Sequence, residues 1–175
     1  MCATSVGALF VFMGLMLLLN TYTVSFFGHR YIENPLALQK ILEKYIEKII
    51  DGNEYVDFLV GRNGDFDIIA SSAVRYVRKN HRDDNSSLVL VLPYNTAEYQ
   101  NNKKYFEEYY NNIRISFSAE LAHPKAAIQT RNFEMIAMSD LIVCYVTDNK
   151  CGAYKALRYA LKSGKTVVNI AETEK

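Results

Sequence analysis

Tryptophan is absent from these 175 residues and cysteine is scarce, with Cys2, Cys144 and Cys151 the whole set. Three cysteines without a C-x-x-C pair build no disulfide framework, and they fit a reducing, cytoplasmic compartment. The histidines, His29, His81 and His123, are scattered and lack the spacing of metal ligands, so no metal site is expected. Charge of one sign is also missing: 20 Lys and Arg against 19 Asp and Glu leave a net charge of +1. That balance argues against a strongly basic nucleic-acid binder, and nucleic acid is not an expected partner. No run is comfortably long enough to cross a membrane. Residues 3–19 carry no charge, but their continuous apolar part, 6–19, falls short of the roughly 20 residues a span needs. The basic n-region and small-residue cleavage site of a signal peptide are absent as well.

What is present is a globular composition, 50% hydrophobic and 22% charged, in a chain long enough to bury one core. Residues 21–175 read as one domain behind an apolar extension, residues 1–20. Three readings of that extension are open: a segment outside the working domain, a short membrane-associated helix, or a helix that packs on the domain or on a second copy. Any membrane contact runs through residues 3–19. The 13 tyrosines carry apolar area with a polar tip. They either cap the core or line a pocket or an oligomer contact, and a homodimer is an open expectation for this kind of fold.

The pattern then alternates. Residues 24–27 read as a buried strand that stops at Gly28, with His29 and Arg30 directly behind it. Asn34 before Pro35 is a helix start, a cap followed by proline at the first helical position, and the helix runs to about residue 50. A second strand, 55–60, ends in the turn Gly61-Arg62-Asn63-Gly64-Asp65, followed by a helix over 66–80. That turn serves either to present backbone N–H groups to an anion beside a helix N-terminus or as a tight connection in which glycine supplies shape alone. A continuous apolar run, 88–92, fits a strand buried on both faces. A polar helix over 98–110, a short strand over 113–117 and a helix over 125–138 follow, the last with Arg131, Asn132 and Glu134 on its polar side. Strand 141–146, helix 153–163 ended by Gly164, and strand 166–170 complete the chain. Strands alternating with helices predict a three-layer, Rossmann-like α/β domain with a mainly parallel central sheet. Ligands of such sheets bind outside the carboxyl ends of the strands.

The segments FFGHR (26–30), FLVGRNGDFD (58–67), LVLPY (90–94), QTRNFEMIAMSDLIV (129–143) and CGAYKALRYALKSGKTVVNIA (151–171) together resemble the SLOG superfamily, the Smf/DprA–LOG group. Within it they are most similar to the small YpsA-like bacterial proteins of unknown function. The resemblance implies a Rossmann-like domain that binds or senses a nucleotide or nucleotide-derived ligand, with no further cofactor. It implies a ligand site at Gly28, His29, Arg30, Gly61, Gly64, Asp65, Arg131, Asn132 and Gly152. The hydrolase branch of the group uses Gly-Gly-x-Gly-Thr-x-x-Glu. This chain has Cys151-Gly152-Ala153-Tyr154-Lys155-Ala156, and alanine is neither nucleophile nor general acid.

The leading expectation is therefore a small-molecule sensor. Arg30 and Arg131 would hold phosphate through the planar guanidinium fork, His29 a phosphate or base, and Asp65 a ribose hydroxyl. The alternative for the arginines is structural pairing with Asp65 or Asp140. A second expectation is N-glycosidic cleavage of a nucleotide by one of the remaining acids, Asp65, Asp67, Glu134 or Asp148, although Glu134 stands at the spacing of a helix-face ion pair with Arg131. DNA handling, by analogy with the DNA-processing relatives, is disfavoured by the near-neutral charge. Cys151 reads as a small turn residue and Cys144 as core.

Overall fold

The computed structural model describes residues 20–172. The apolar extension read from residues 3–19 lies outside the described residues. Six strands form one sheet in the order β4-β3-β2-β1-β5-β6, and every pairing is parallel. They are β1 (Thr21–Gly28), β2 (Tyr55–Val60), β3 (Ser86–Leu92), β4 (Asn112–Ile115), β5 (Leu141–Tyr145) and β6 (Thr166–Asn169). Between them run α1 (Pro35–Asp51), α2 (Asp65–Asn80), α3 (Ala97–Asn101), α4 (Lys103–Tyr109), α5 (Phe117–Glu120), α6 (Ala127–Met138) and α7 (Gly152–Lys162).

The pleat sorts each strand's side chains to two faces. Val24, Phe26, Phe58, Val60, Leu88 and Leu90 enter one core with α1 and α2. Phe27, Leu59, Val89, Val91, Ile142 and Cys144 enter the other with α6 and α7. Parallel crossovers share one hand. Connections that leave β1 towards β4 therefore cover one face, and those that return through β5 to β6 cover the other. The reversal falls between β1 and β5, where Phe27 stands opposite Cys144 and Gly28 opposite Tyr145. A crevice must open there above the carboxyl ends.

The local signals act as expected where they are self-contained. Asn34 Oδ1 accepts from the Ala37 N–H at 3.2 Å and Pro35 opens α1. Gly164, at φ +68, closes the turn after α7 in a conformation other residues resist. Two expectations change. The helix read over 98–110 is broken at Asn102, whose amide side chain bonds back to the Glu98 carbonyl at 3.0 Å and interrupts the ladder. The strand read over 113–117 ends at Ile115, because the Ser116 hydroxyl accepts from the Ala119 N–H and starts α5.

Candidate functional site

At the β1/β5 reversal lies a cavity of about 340 Å³ lined by Gly28, His29, Arg30, Gly64, Arg131, Asn132 and Gly152, together with Asn63, Asp67 and Cys151. Gly61 and Asp65, the other residues named from the sequence, do not line it. Arg30 is exposed, and among the described residues its guanidinium has no hydrogen-bond or ion-pair partner. Its backbone is held: the Arg30 carbonyl accepts from the Asp65 N–H at 3.0 Å. His29 Nε2 accepts from the Thr147 N–H at 2.8 Å, so the ring proton sits on Nδ1 and the histidine ties the end of β1 to the loop after β5. Asn132 is half-buried. The N-terminus of α7 faces the same cavity. Cys151 Sγ accepts from the Tyr154 N–H at 3.3 Å, while the Gly152 and Ala153 amides belong to the first turn, where donors lack intrahelical partners.

The glycines differ in purpose. A Cβ on Gly28 would lie 2.2 Å from the Phe66 ring, one on Gly61 2.3 Å from Arg131 Nη1, and one on Gly64 2.6 Å from the Arg30 Cα. Those three positions are filled by the protein itself, which favours the shape reading of the Gly61–Gly64 turn over that of an open anion loop. At Gly152, by contrast, a Cβ would meet open space.

Arg131 is corrected from a polar-face residue to a buried one, 2% exposed. Nη1 donates to the Val91 carbonyl at 3.2 Å and Nη2 to Asn63 Oδ1 at 2.7 Å, while Nε finds no acceptor. Its charge partner is Asp67, rather than Asp65 or Asp140. Asp67 Oδ2 would lie 2.7 Å from a Cβ on Gly61 and accepts from the Asn63 N–H at 2.8 Å. Burial raises the Asp67 carboxyl above its ordinary range, opposed by the Arg131 charge and the Asn63 amide. Asp65 Oδ2 accepts from the Ile32 N–H at 3.1 Å, so this carboxylate fixes the segment after Arg30. Asp140 Oδ2 accepts from the Thr23 N–H.

Glu134 does not pair with Arg131. Its Oε2 takes the Ser116 hydroxyl at 2.8 Å and the Ser118 N–H at 3.0 Å, capping α5. Partial burial pushes its carboxyl up, but those hydrogen bonds outweigh it and hold it below its ordinary range. A carboxylate lowered in the folded state stabilises above its unfolded pKa, and loses that contribution as pH falls through the folded one. Glu134→Gln is expected to melt below the parent chain at pH 7, with the gap closing on acidification, as followed by thermal denaturation. Cys144 is buried, which pushes its thiol up to about 12.

Sequence reading passed over Lys125 and Lys155. They line a second groove of about 310 Å³ that shares Arg30, Ile128, Asn132 and Gly152 with the cavity. The available signal was position: Lys155 lies in the turn after Gly152, and Lys125 just before α6.

No protein-family model matches the chain, and none of the curated proteins matches it significantly. Solved structures do. DNA processing protein A from Helicobacter pylori, described for its single-stranded DNA binding mode, superposes with TM-score 0.59 at 19% identity over 83% of this chain and 63% of its own. DNA processing protein A (DprA) from Streptococcus pneumoniae gives 0.59 at 16% identity, over 84% of this chain and 49% of its own. The chain thus spans about half of one of these proteins and less than two thirds of the other. At such identities the likeness is one of fold: a three-layer, Rossmann-like architecture shared with DprA, a member of the SLOG superfamily. These neighbours overturn the expectation of a small-molecule nucleotide sensor with no part for nucleic acid. Both of these neighbours are DNA-processing proteins, one described for binding single-stranded DNA. A net charge sums over the whole surface and does not register that Arg30, Lys125 and Lys155 gather on one groove. Among the described residues no helix is long and apolar enough to cross a membrane.

Proposed function

We propose that this chain is a single-stranded nucleic-acid binding module whose phosphate contacts lie at the carboxyl edge of the sheet. The observation that carries the reading is Arg30, an exposed guanidinium without a protein acceptor among the described residues, at the junction of the cavity and the Lys125–Lys155 groove. A phosphate seated there meets the Arg30 fork, the Asn132 amide and the first-turn amides of α7, whose partial positive charge favours an anion. The next phosphates along the strand fall to Lys125 and Lys155, giving a basic track of the kind that follows a single-stranded backbone. The fold shared with the Helicobacter pylori protein supports the same reading. Within the superfamily, the FFGHR, FLVGRNGDFD and QTRNFEMIAMSDLIV segments support a place near the YpsA-like branch, and the free cysteines fit work in the cytoplasm.

Fluorescence anisotropy of a labelled twelve-nucleotide oligothymidine with the full-length chain tests this. Binding is expected, weakened by roughly three- to tenfold in Arg30→Ala, the scale of one charge-assisted phosphate contact. Absence of binding at low salt would refute the reading.

A further inference from the structure

A third groove, of about 440 Å³, opens on the other side of Arg30 and is lined by His29, Tyr31, Glu33, Tyr145, Thr147 and Asp148. It differs in chemistry from the basic track. The half-buried Tyr145 packs edge-on to His29 and stacks on Phe66, with ring centroids 6.0 and 6.3 Å apart. Tyr31 is 75% exposed, although its neighbours are fixed: Ile32 is buried and its N–H is held by Asp65, and Arg30 is held through its carbonyl. An aromatic ring is thus presented to solvent from a pinned backbone. Glu33 is exposed and its carboxylate has no partner among the described residues. Asp148 Oδ1 accepts from the nearby Lys150 N–H at 3.0 Å.

Two carboxylates repel a phosphate, so this groove does not continue the backbone track. It suits what hangs from the backbone. Resting on the proposed single-strand binding, we infer that this groove is a nucleobase subsite with a preference for guanine. Tyr31 supplies a stacking face, which any base can use. The carboxylates supply selectivity on the base edge exposed in a single strand. Guanine presents two adjacent donors there, N1–H and the 2-amino group, which match the two oxygens of one carboxylate, and Glu33 has both free. Thymine offers one donor between two carbonyl oxygens, which a carboxylate repels. Adenine and cytosine each place an acceptor beside their amino group.

Competition against labelled oligothymidine on the full-length chain reads this out, with unlabelled twelve-nucleotide competitors of thymidine alone or with two central positions changed to guanine, adenine or cytosine. The guanine competitor is expected to be about tenfold stronger than oligothymidine, the scale of one two-point contact to a base, and adenine and cytosine to stay within about twofold of thymine. Glu33→Gln combined with Asp148→Asn, both surface changes, brings the guanine ratio close to one. Equal competition by all four, or a guanine preference that survives the double substitution, would overturn the subsite while leaving single-strand binding intact. Failure of oligothymidine itself to bind would instead remove the reading on which the subsite rests.

Discussion

Arg131→Ala is expected to lower the stability of the fold by about 3 kcal/mol, measured as a fall in urea midpoint at unchanged denaturant slope. The side chain is almost wholly buried, and its fork spans two elements, the Val91 carbonyl of β3 and the Asn63 side chain of the turn after β2. Removing it leaves those acceptors unmet, and leaves Asp67 without the cation that offsets its burial. Arg131→Lys is expected to recover only part of the loss, because one ammonium cannot reproduce a planar fork. Arg131→Met with Asp67→Asn should cost less than the sum of the single changes. Two opposite buried charges removed together cost less than one left without the other. Strict additivity would show that the two side chains are not coupled.

Gly28→Ala is expected to be comparably damaging, at about 3 kcal/mol, the upper range for an overpacked core. The added Cβ would stand 2.2, 2.5 and 2.6 Å from Cγ, Cδ1 and Cβ of Phe66. These atoms lie close to the α2 backbone, and the residue is 0% exposed, so the ring cannot swing away. The strand end or α2 must shift instead, and the backbone bonds that hold His29 and Arg30 to Phe66 and Asp65 lie on that path. Phe66→Leu in the Gly28→Ala background should recover part of the loss. Gly152→Ala is the contrast: with nothing within 4 Å of its Cβ, it should leave the urea midpoint within about 0.5 kcal/mol of the parent. Equal tolerance at both glycines would contradict the packing role assigned to Gly28.

The same pair of glycines shows what a sequence discloses. Both follow or precede regular elements, and both read as ligand-site positions. What separates them is the occupant of the missing Cβ: Phe66, 38 positions beyond Gly28, and empty space at Gly152. Chain-local physics was legible. The apolar runs, the Asn34–Pro35 start and the Gly164 stop lead directly to a parallel sheet, because each signal is complete within a few residues. The Asn102 break and the Ser116 cap depend on one side chain choosing its own backbone, which hydrophobic periodicity does not register. Arg131 was placed on a polar face because its helix position does not reveal that Val91 and Asn63 surround it. The cavity residues came together because strand ends in a parallel sheet share one edge. The gathering of Lys125 and Lys155 beside Arg30 was hidden by a net charge close to zero.

The measurement that bears most directly on this account is the affinity of the full-length chain for labelled oligothymidine across a series of salt concentrations, beside Arg30→Ala. If Arg30, Lys125 and Lys155 hold successive phosphates, log affinity should fall linearly with log salt, and the slope should shrink by roughly one on losing Arg30. A slope identical in the variant, or an affinity indifferent to salt, would contradict a phosphate track at the carboxyl edge of the sheet.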